Sequence, residues 1–179
     1  MKRILETKRL LLRELEPADF DNLCTILQDA EAMTAYEHAF SDEEVADWLD
    51  RQRARYRQDG FGLWAVELRE TGAFVGQAGL TLQDAGGRTV TEIGYLFRRD
   101  CWHHGYAIEA AAACKRYAFE TLGCREVYSI IRDTNLASQR VAIRNGMLPV
   151  GRMMKHYHGM DMPHLLFRVT ADENEGERT

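Results

Sequence analysis

The alternation of apolar and polar residues divides the chain into strands and helices. Apolar runs of strand length occupy residues 8–15, 63–68, 74–82, 90–97, 126–132, 148–155 and 164–170. Helical spacing of apolar residues follows Pro17, begins again after Ser41, and covers residues 105–122 and 135–145. The pattern therefore predicts the order β α α β β β α β α β β.

Capping residues mark the boundaries of the predicted helices. Pro17 suits a first helical turn, and Ser41 with Glu44 forms a capping box at the second helix. Gly123 and Gly146 follow the third and fourth helices and predict their ends. Arginines crowd the end of the second helix. These arginines are Arg51, Arg53, Arg55 and Arg57. A solvated helix end is their simplest interpretation, and contact with a phosphate or an acidic substrate is the alternative.

The connections between the strands predict a mixed sheet. Thr71-Gly72 and the turn at residues 85–87 are typical of hairpins, which join antiparallel strands. The strand 90–97, the helix 105–122 and the strand 126–132 form a crossover unit, which joins parallel strands. We therefore expect an α/β fold in which the strand direction switches near the centre of the sheet.

Composition and charge narrow the class of protein. The 179 residues, 45% hydrophobic and 28% charged, fit one globular domain and exclude a disordered, collagen-like or disulfide-stapled chain. The formal net charge is −5, most of it in the C-terminal residues. We expect one domain over residues 1–170 and a polar acidic tail over residues 171–179. Because the body is nearly neutral, direct nucleic-acid binding is not expected.

Cysteine usage and the N-terminus predict a cytoplasmic protein. The four cysteines form no C-x-x-C pair, and reduced thiols are the simplest interpretation. No apolar run reaches the ~18 residues of a membrane-spanning helix, so no membrane partner is expected. The N-terminal residues become charged at once, unlike a signal peptide.

The junction between the strand 90–97 and the following helix carries the clearest chemistry. A short loop there precedes a helix that begins at Gly105, followed by the small residue Ala107. A helix N-terminus has unpaired N–H groups and a partial positive charge, so the loop is a candidate cradle for a pyrophosphate. It is neither a Walker A motif nor a dinucleotide-binding fingerprint, and an ordinary strand–glycine–helix junction is the alternative.

This loop resembles that of a known family. Trp102-His103-His104-Gly105-Tyr106-Ala107 resembles the Arg/Gln-x-x-Gly-x-Gly/Ala acyl-CoA loop of the GNAT N-acetyltransferase superfamily. Further blocks resemble, in family order, the RimJ/RimL-like branch that acetylates ribosomal-protein N-termini. They are residues 6–13, Glu92-Ile93-Gly94-Tyr95, Asn135-Leu136-Ala137-Ser138 with Asn145-Gly146-Met147, and residues 156–164. The resemblance covers about residues 6–170.

The resemblance implies a fold and a co-substrate. The fold would be a single GNAT domain with a mostly antiparallel sheet of about six or seven strands, splayed at the fourth and fifth, and about four helices. Acetyl-CoA would be the co-substrate, and no metal is expected. Its pantetheine would contact the backbone of Phe97 and Arg98. Its pyrophosphate would lie on His103, His104, Gly105, Tyr106 and Ala107.

Catalytic roles are likewise implied by the resemblance. Acetyl transfer to an amine needs a base, N–H donors for the oxyanion and a proton for the leaving thiolate. Glu92 is the candidate base, with a solvent-facing strand residue as the alternative. Ser138 would assist the thiolate, and Asn135 would position the CoA arm or simply cap its helix. Ala142 stands where many family members have a tyrosine acid, and His103 stands where a glycine is common.

The acceptor is an amine-bearing molecule whose identity the sequence does not define. Tyr36, His38 and Trp48 are candidate acceptor-binding residues, with core packing as the alternative for the aromatic rings. A different class of protein, an acyl-CoA-binding module that has lost catalysis, remains open because Ala142 replaces the tyrosine. As to its partners, the chain is also a candidate homodimer. A metal site at His103 and His104 and a nucleophilic Cys101 are both disfavoured.

Overall fold

A computed structural model describes residues 2–36, 38–157 and 159–176. His158 of the C-terminal block and residues 177–179 of the tail lie outside the described residues. The strands are β1 (Arg3–Glu6), β2 (Leu10–Arg13), β3 (Leu63–Leu68), β4 (Phe74–Asp84), β5 (Thr89–Phe97), β6 (Glu126–Arg132), β7 (Leu148–Tyr157) and β8 (Met160–Thr170). The α-helices are α1 (Phe20–Leu27), α2 (Asp42–Gln58), α3 (Tyr106–Glu120), α4 (Leu136–Arg144) and α5 (Ala171–Gly176).

The strands form one sheet in the order β1-β2-β3-β4-β5-β6-β8-β7. Neighbouring strands are antiparallel except β5 and β6, which are joined through α3 and run parallel. The predicted mixed α/β class is therefore confirmed. The described sheet has eight strands rather than six or seven because the segment ahead of β2 adds the edge strand β1. A short fifth helix, α5, occupies the start of the expected tail.

Helices cover the two faces of the sheet separately. Helices α1 and α2 pack on one face around Leu23, Val45 and Leu49. Helix α3 packs on the other face around Ala110 and Cys114, and helix α4 packs there around Ala142. Because side chains alternate along a strand, β5 sends Ile93, Tyr95 and Phe97 toward α3 and α4 and sends Glu92 and Leu96 to the opposite face. The strand β5 thus contributes side chains to both faces.

A buried charge network joins the first strands to the helical layer. Arg13 is 6% exposed and donates to both carboxylate oxygens of Asp19 at 2.6 and 2.7 Å. It also donates to Glu67 at 2.8 and 2.6 Å. Burial opposes ionisation of Asp19, but the Arg13 guanidinium holds the pKa of that carboxyl below its ordinary value. The network connects β2, β3 and the turn before α1.

The predicted helix boundaries are confirmed where capping residues marked them. Ser41 and Glu44 form the capping box that begins α2. Gly123 and Gly146 have φ values of +66° and +78°, in the left-handed region that favours glycine, just after α3 and α4. None of the helices among the described residues is long and apolar enough to cross a membrane.

Candidate active site

The loop before α3 presents a row of backbone N–H groups. A single 3₁₀ turn, Arg99–Cys101, leads into Gly105, which is the N-cap of α3 at φ +79°. The N–H groups of residues 103–108 donate no hydrogen bond within the part of the chain that the structure describes. They combine with the positive end of the helix macrodipole, so the loop can bind an anion.

His103 keeps the backbone conformation of the glycine that it replaces. Its φ is +64°, the one positive φ at a non-glycine position among the described residues. In a non-glycine residue this conformation causes steric strain of about 1–2 kcal/mol. This position therefore has the backbone conformation that favours glycine, and a histidine occupies it here.

A clamp from the turn between β1 and β2 holds the loop in place. The Glu109 carboxylate in the first turn of α3 accepts hydrogen bonds from Thr7 Oγ1 and Arg9 Nε, both at 2.6 Å. Arg9 Nη1 also donates to the carbonyl of His104 at 2.9 Å, and its guanidinium lies 4.7 Å from the centre of the Tyr106 ring. Sequence reasoning missed this clamp because its partners are about a hundred residues apart.

Two further contacts define the walls of the loop. The His104 ring stacks on the Tyr106 ring with centroids 5.6 Å apart and an interplanar angle of 9°. The indole Nε1 of Trp102 donates to the carbonyl of Phe97 at 2.9 Å. Trp102, which stands where the family has Arg or Gln, thus ties the loop back to the end of β5.

The parallel ladder between β5 and β6 stops at its first pair. Only Glu92 and Tyr128 are in register, whereas β4 and β5 pair from Gly76↔Phe97 to Asp84↔Thr89. The next ladder bond would join the Ile130 N–H to the Ile93 carbonyl. Instead, the Glu92 carboxylate accepts from the Ile130 N–H at 3.1 Å, and Ser129 Oγ donates to the Ile93 carbonyl at 3.0 Å. Because the edge strand β1 is additional, β5 and β6 are the fourth and fifth of the predicted strands. The strands therefore splay at the place that the resemblance implies.

The splay leaves backbone groups of β5 facing an open groove. Ile93 turns its carbonyl toward β6, and Arg98 turns its N–H toward the carbonyl of Val75 on β4. Backbone groups alternate sides along a strand, so the N–H groups of Tyr95 and Phe97 face the groove. Of the predicted pantetheine contacts, the Phe97 N–H is thus directed into the groove. The Arg98 N–H already donates within the chain, and the Arg98 side chain pairs with Asp100.

Glu92 lies in a half-buried position at the fork between β5 and β6. Its second carboxylate oxygen accepts from Thr81 Oγ1 at 3.3 Å. Burial raises the pKa of the Glu92 carboxyl above its ordinary value, and the opposing influence of Lys155, Ile130 N–H, Thr81 and Arg55 does not cancel that increase. A carboxylate with a raised pKa is better matched to proton abstraction near neutral pH than an exposed one.

Asn135 and Ser138 meet at the start of α4. Asn135 is the N-cap, and its Oδ1 accepts from the Ser138 N–H at 3.1 Å, which confirms the capping prediction. The carbonyl of Ser138 accepts from the Tyr95 hydroxyl at 3.0 Å. The backbone of Ser138 is therefore held on both sides, while its Oγ makes no hydrogen bond with any described residue. Ala142 is 1% exposed and packs in the core below.

The predicted acceptor-binding residues form one aromatic cluster beside α2. The Tyr36 ring lies 6.0 Å from Trp48 and 6.3 Å from Phe40, both edge to face. The His38 ring lies 5.7 Å from Phe40, and its Nε2 is 2.7 Å from the Glu44 carboxylate. Trp48 Nε1 donates to Gln77 on β4 at 3.0 Å. Trp48 and Phe40 are largely packing residues, and Tyr36, which is 36% exposed, reaches the surface.

Metal ligands and a thiol nucleophile find no support in this region. No group of three or more His, Cys, Asp or Glu residues within the described ranges is arranged to hold a metal ion. Burial and the adjacent Asp100 carboxylate raise the pKa of the Cys101 thiol, which disfavours the nucleophilic thiolate.

Comparison with known proteins identifies the family. Residues 9–148 match the family model "Acetyltransferase (GNAT) domain". The chain is 37% identical over 147 residues to the Bacillus subtilis protein YkkB, described as uncharacterized, with 82% of this chain and 86% of that protein aligned. The chain belongs to the GNAT acetyltransferase family, whose members use acetyl-CoA, and it is an N-acetyltransferase by class.

Solved structures share the fold over nearly the whole chain. A GNAT-family acetyltransferase from Bacillus anthracis superposes with a TM-score of 0.79 at 22% identity, covering 94% of this chain and 98% of that one. RimL, described as a ribosomal L7/L12 α-N-protein acetyltransferase in complex with coenzyme A, superposes with a TM-score of 0.75 at 18% identity, covering 96% and 99%. At these identities the likeness shows the fold alone.

Proposed function

We propose that this GNAT enzyme transfers the acetyl group of acetyl-CoA to a primary amine by direct attack in a ternary complex. The amine belongs to a protein N-terminus, a peptide or a small molecule. The observation that carries the proposal is the fork in the sheet. There, the β5–β6 ladder ends on the Glu92 carboxylate. The open groove runs from that fork beside β5, and the free N–H groups of residues 103–108 follow the end of the strand.

The chain offers a separate group for each part of acetyl-CoA. The N–H groups of residues 103–108 suit the pyrophosphate, because oriented amides at a helix start bind phosphate oxygens. The N–H groups of Tyr95 and Phe97 suit the pantetheine arm and the thioester oxygen. Asn135 caps α4, and its role toward the CoA arm remains a prediction.

Glu92 takes the proton in the proposed step. The neutral amine nitrogen attacks the thioester carbon, a C–N bond forms, and the carbonyl electron pair moves to oxygen, where a groove N–H donates to it. The nitrogen passes one proton to Glu92, directly or through a water molecule. Collapse of the tetrahedral intermediate then breaks the C–S bond and releases the thiolate.

Ser138 is proposed to assist that thiolate. Its hydroxyl is free to donate because Asn135 and Tyr95 engage only its backbone. The buried Ala142 has no proton to offer at the position of the usual tyrosine. Replacing Ser138 with Ala should lower turnover about tenfold while CoA affinity changes little. Unchanged turnover would remove Ser138 from the mechanism.

Turnover with a defined set of acceptors tests the proposal. The protein is incubated with acetyl-CoA and with peptides, α-amino acids and simple amines, and free CoA is measured with a thiol reagent. Release of CoA that depends on an acceptor, with the acetylated amine found by mass spectrometry, supports it. Tight binding of CoA without turnover of any acceptor would favour the binding module instead. The RimJ/RimL-like branch, a cytoplasmic location and a homodimer remain predictions.

A further inference from the structure

Two half-buried cations lie near Glu92, and Asp59 also lies near one of them, Arg55. Arg55 on α2 and Lys155 on β7 both lie close enough to lower the pKa of the Glu92 carboxyl. Both are half-buried, and neither forms a salt bridge with any described residue. Half of the arginines that the structure describes pair with a described carboxylate, namely Arg3, Arg9, Arg13, Arg53, Arg69, Arg88, Arg98, Arg99 and Arg168. Among the others, Arg55 and Arg132 are half-buried and the rest are exposed.

The surroundings of Arg55 are poor for an unpaired guanidinium. Burial and the neighbouring Arg51 lower the pKa of Arg55 from its ordinary value. Among the described residues, the Arg55 guanidinium donates one hydrogen bond, from Nη1 to the side-chain oxygen of Gln52 at 3.2 Å. The Gln52 side-chain nitrogen is itself buried without a partner. A desolvated cation of this kind is stabilised by a planar oxyanion, which accepts two parallel N–H bonds from a guanidinium.

The strand register places Lys155 on the same side of the sheet as Glu92. Lys155 pairs with Met162, and His164 pairs with both Met153 and Arg132. Because side chains alternate along strands, Lys155, His164 and Arg132 all project to the face that carries Glu92. Burial lowers the pKa of His164, so its ring is neutral and adds no charge there. Arg132 donates to the carbonyl of Thr34 and fixes the loop before α2.

From this placement we propose that the acceptor is an amine that carries a carboxylate next to its amino group, namely a free α-amino acid. The proposal rests on the proposed acetyl transfer and names its acceptor class. Glu92 would take a proton from the α-amine, while Arg55 and Lys155 bind the carboxylate one carbon away. An acceptor without that anion would bring its amine to a place where two cations face the single Glu92 carboxylate. A peptide N-terminus has an amide at that position and leaves both cations unpaired.

Matched acids and amides test the proposal. Leucine and leucinamide, and phenylalanine and phenylalaninamide, are compared as acceptors, with kcat/KM calculated for the neutral amine of each. We expect kcat/KM for each acid to exceed that for its amide at least tenfold, which corresponds to about 1.4 kcal/mol. Arg55→Gln and Lys155→Gln should each remove most of this preference, because kcat/KM for the acid falls much further than kcat/KM for the amide.

Controls separate charge recognition from a general loss of structure. Arg57→Gln, near the exposed end of α2, and Arg152→Gln, on the opposite face of β7, should keep the preference. Thermal unfolding identifies a variant that fails to fold, and the other cation variant then decides. Equal kcat/KM for acid and amide, or a better tripeptide with the same N-terminal residue, would overturn the proposal while acetyl transfer stands.

A binding experiment distinguishes failure of the proposal from failure of catalysis. N-acetylleucine and N-acetylleucinamide are titrated by calorimetry into the protein saturated with CoA. Tighter binding of the acid, lost in Arg55→Gln, supports carboxylate recognition even if no acceptor is turned over. Equal binding of the two overturns it. The proposed function fails separately if CoA binds and none of the acceptor classes is acetylated.

Discussion

The loop end and the Glu92 end of the candidate site differ in whether their cationic side chains form salt bridges. At the loop, each nearby arginine is paired: Arg9 with Glu109, Arg98 with Asp100, and Arg99 with Asp29 and Glu31. The ligand is left to the backbone N–H groups. At Glu92, the cations Arg55 and Lys155 form no salt bridge with any residue that the structure describes. The difference indicates that the loop end binds the phosphate groups of the co-substrate through backbone N–H groups. The Glu92 end would bind a negative charge carried by the acceptor.

Glu92→Gln should give the largest effect at the acceptor end. Removing the base should lower kcat about 10²- to 10⁴-fold, whereas CoA affinity should change little because the cradle is elsewhere. The glutamine oxygen can still accept from the Ile130 N–H, so the fork should persist. Glu126→Gln, at the start of β6 beside Arg88, is the surface control. An equal loss of turnover and of CoA affinity would contradict the role of Glu92 as base.

The raised pKa of Glu92 fixes the sign of two pH effects. The base must be ionised, so kcat/KM should fall as the pH decreases through a pKa above the ordinary 4.5 of a glutamate, and the residual activity of Glu92→Gln should lack that limb. For stability the sign is reversed. A carboxyl whose folded pKa exceeds its unfolded pKa favours the folded state when protonated. Glu92→Gln should therefore unfold at the same temperature as the parent or higher at neutral pH, in calorimetry.

Gly105→Val should give the largest effect at the loop end. A valine strains a backbone at φ +79° by about 1–3 kcal/mol, and the loop must change its path to relieve that strain. The N–H groups of residues 103–108 then no longer converge, so CoA affinity should fall about 100-fold or more by calorimetry. Gly86→Val is the matched control. Gly86 has φ +75° in open space at a hairpin turn, so it should lose similar stability and keep its CoA affinity. An unchanged affinity in Gly105→Val would remove the cradle from that position.

The loop end could be predicted from sequence much further than the acceptor end. Gly105, Ala107 and the strand before them are contiguous, so one local motif defines the cradle. The capping box at Ser41 and the N-cap Asn135 were found for the same reason. The acceptor end is assembled from α2, β5 and β7, and no local spacing relates Arg55 to Lys155. The arginines near the end of α2 look alike in sequence, and only packing shows that Arg55 is the one near Glu92.

The clamp on the loop could not be predicted for a related reason. Thr7 and Arg9 precede α3 by about a hundred residues, and their partner Glu109 looked like an ordinary acidic residue in a first helical turn. Likewise, Ser129 lies within the predicted strand 126–132, and its sequence position does not indicate that its hydroxyl donates to the carbonyl of Ile93. Hydrogen bonds between distant side chains and backbone leave no periodic pattern in a sequence.

Arg9→Ala tests whether the loop end is held by its clamp. The substitution removes the hydrogen bonds to Glu109 and to the His104 carbonyl, while the free N–H groups themselves remain. Because Arg9 is largely exposed, we expect a loss of about 3- to 10-fold in CoA affinity and a small change in stability. Lys8→Ala, at the exposed neighbouring position, is the control. Unchanged CoA affinity in Arg9→Ala would show that the loop keeps its shape without the clamp.

His103→Gly should have the smallest effect. It tests whether the loop end binds its ligand through backbone N–H groups alone. Glycine adopts φ +64° without steric strain, but its unfolded chain is more flexible, and the two terms leave a net stabilisation of about 0.5 kcal/mol in urea unfolding. His104→Gly is the control, because it removes the stacking on Tyr106 and should destabilise the protein by about 1 kcal/mol. If the loop binds its ligand through N–H groups alone, CoA affinity in His103→Gly should stay within about twofold of the parent. A larger loss would assign the His103 side chain a direct part in phosphate binding, and the loop end would then also depend on side-chain recognition.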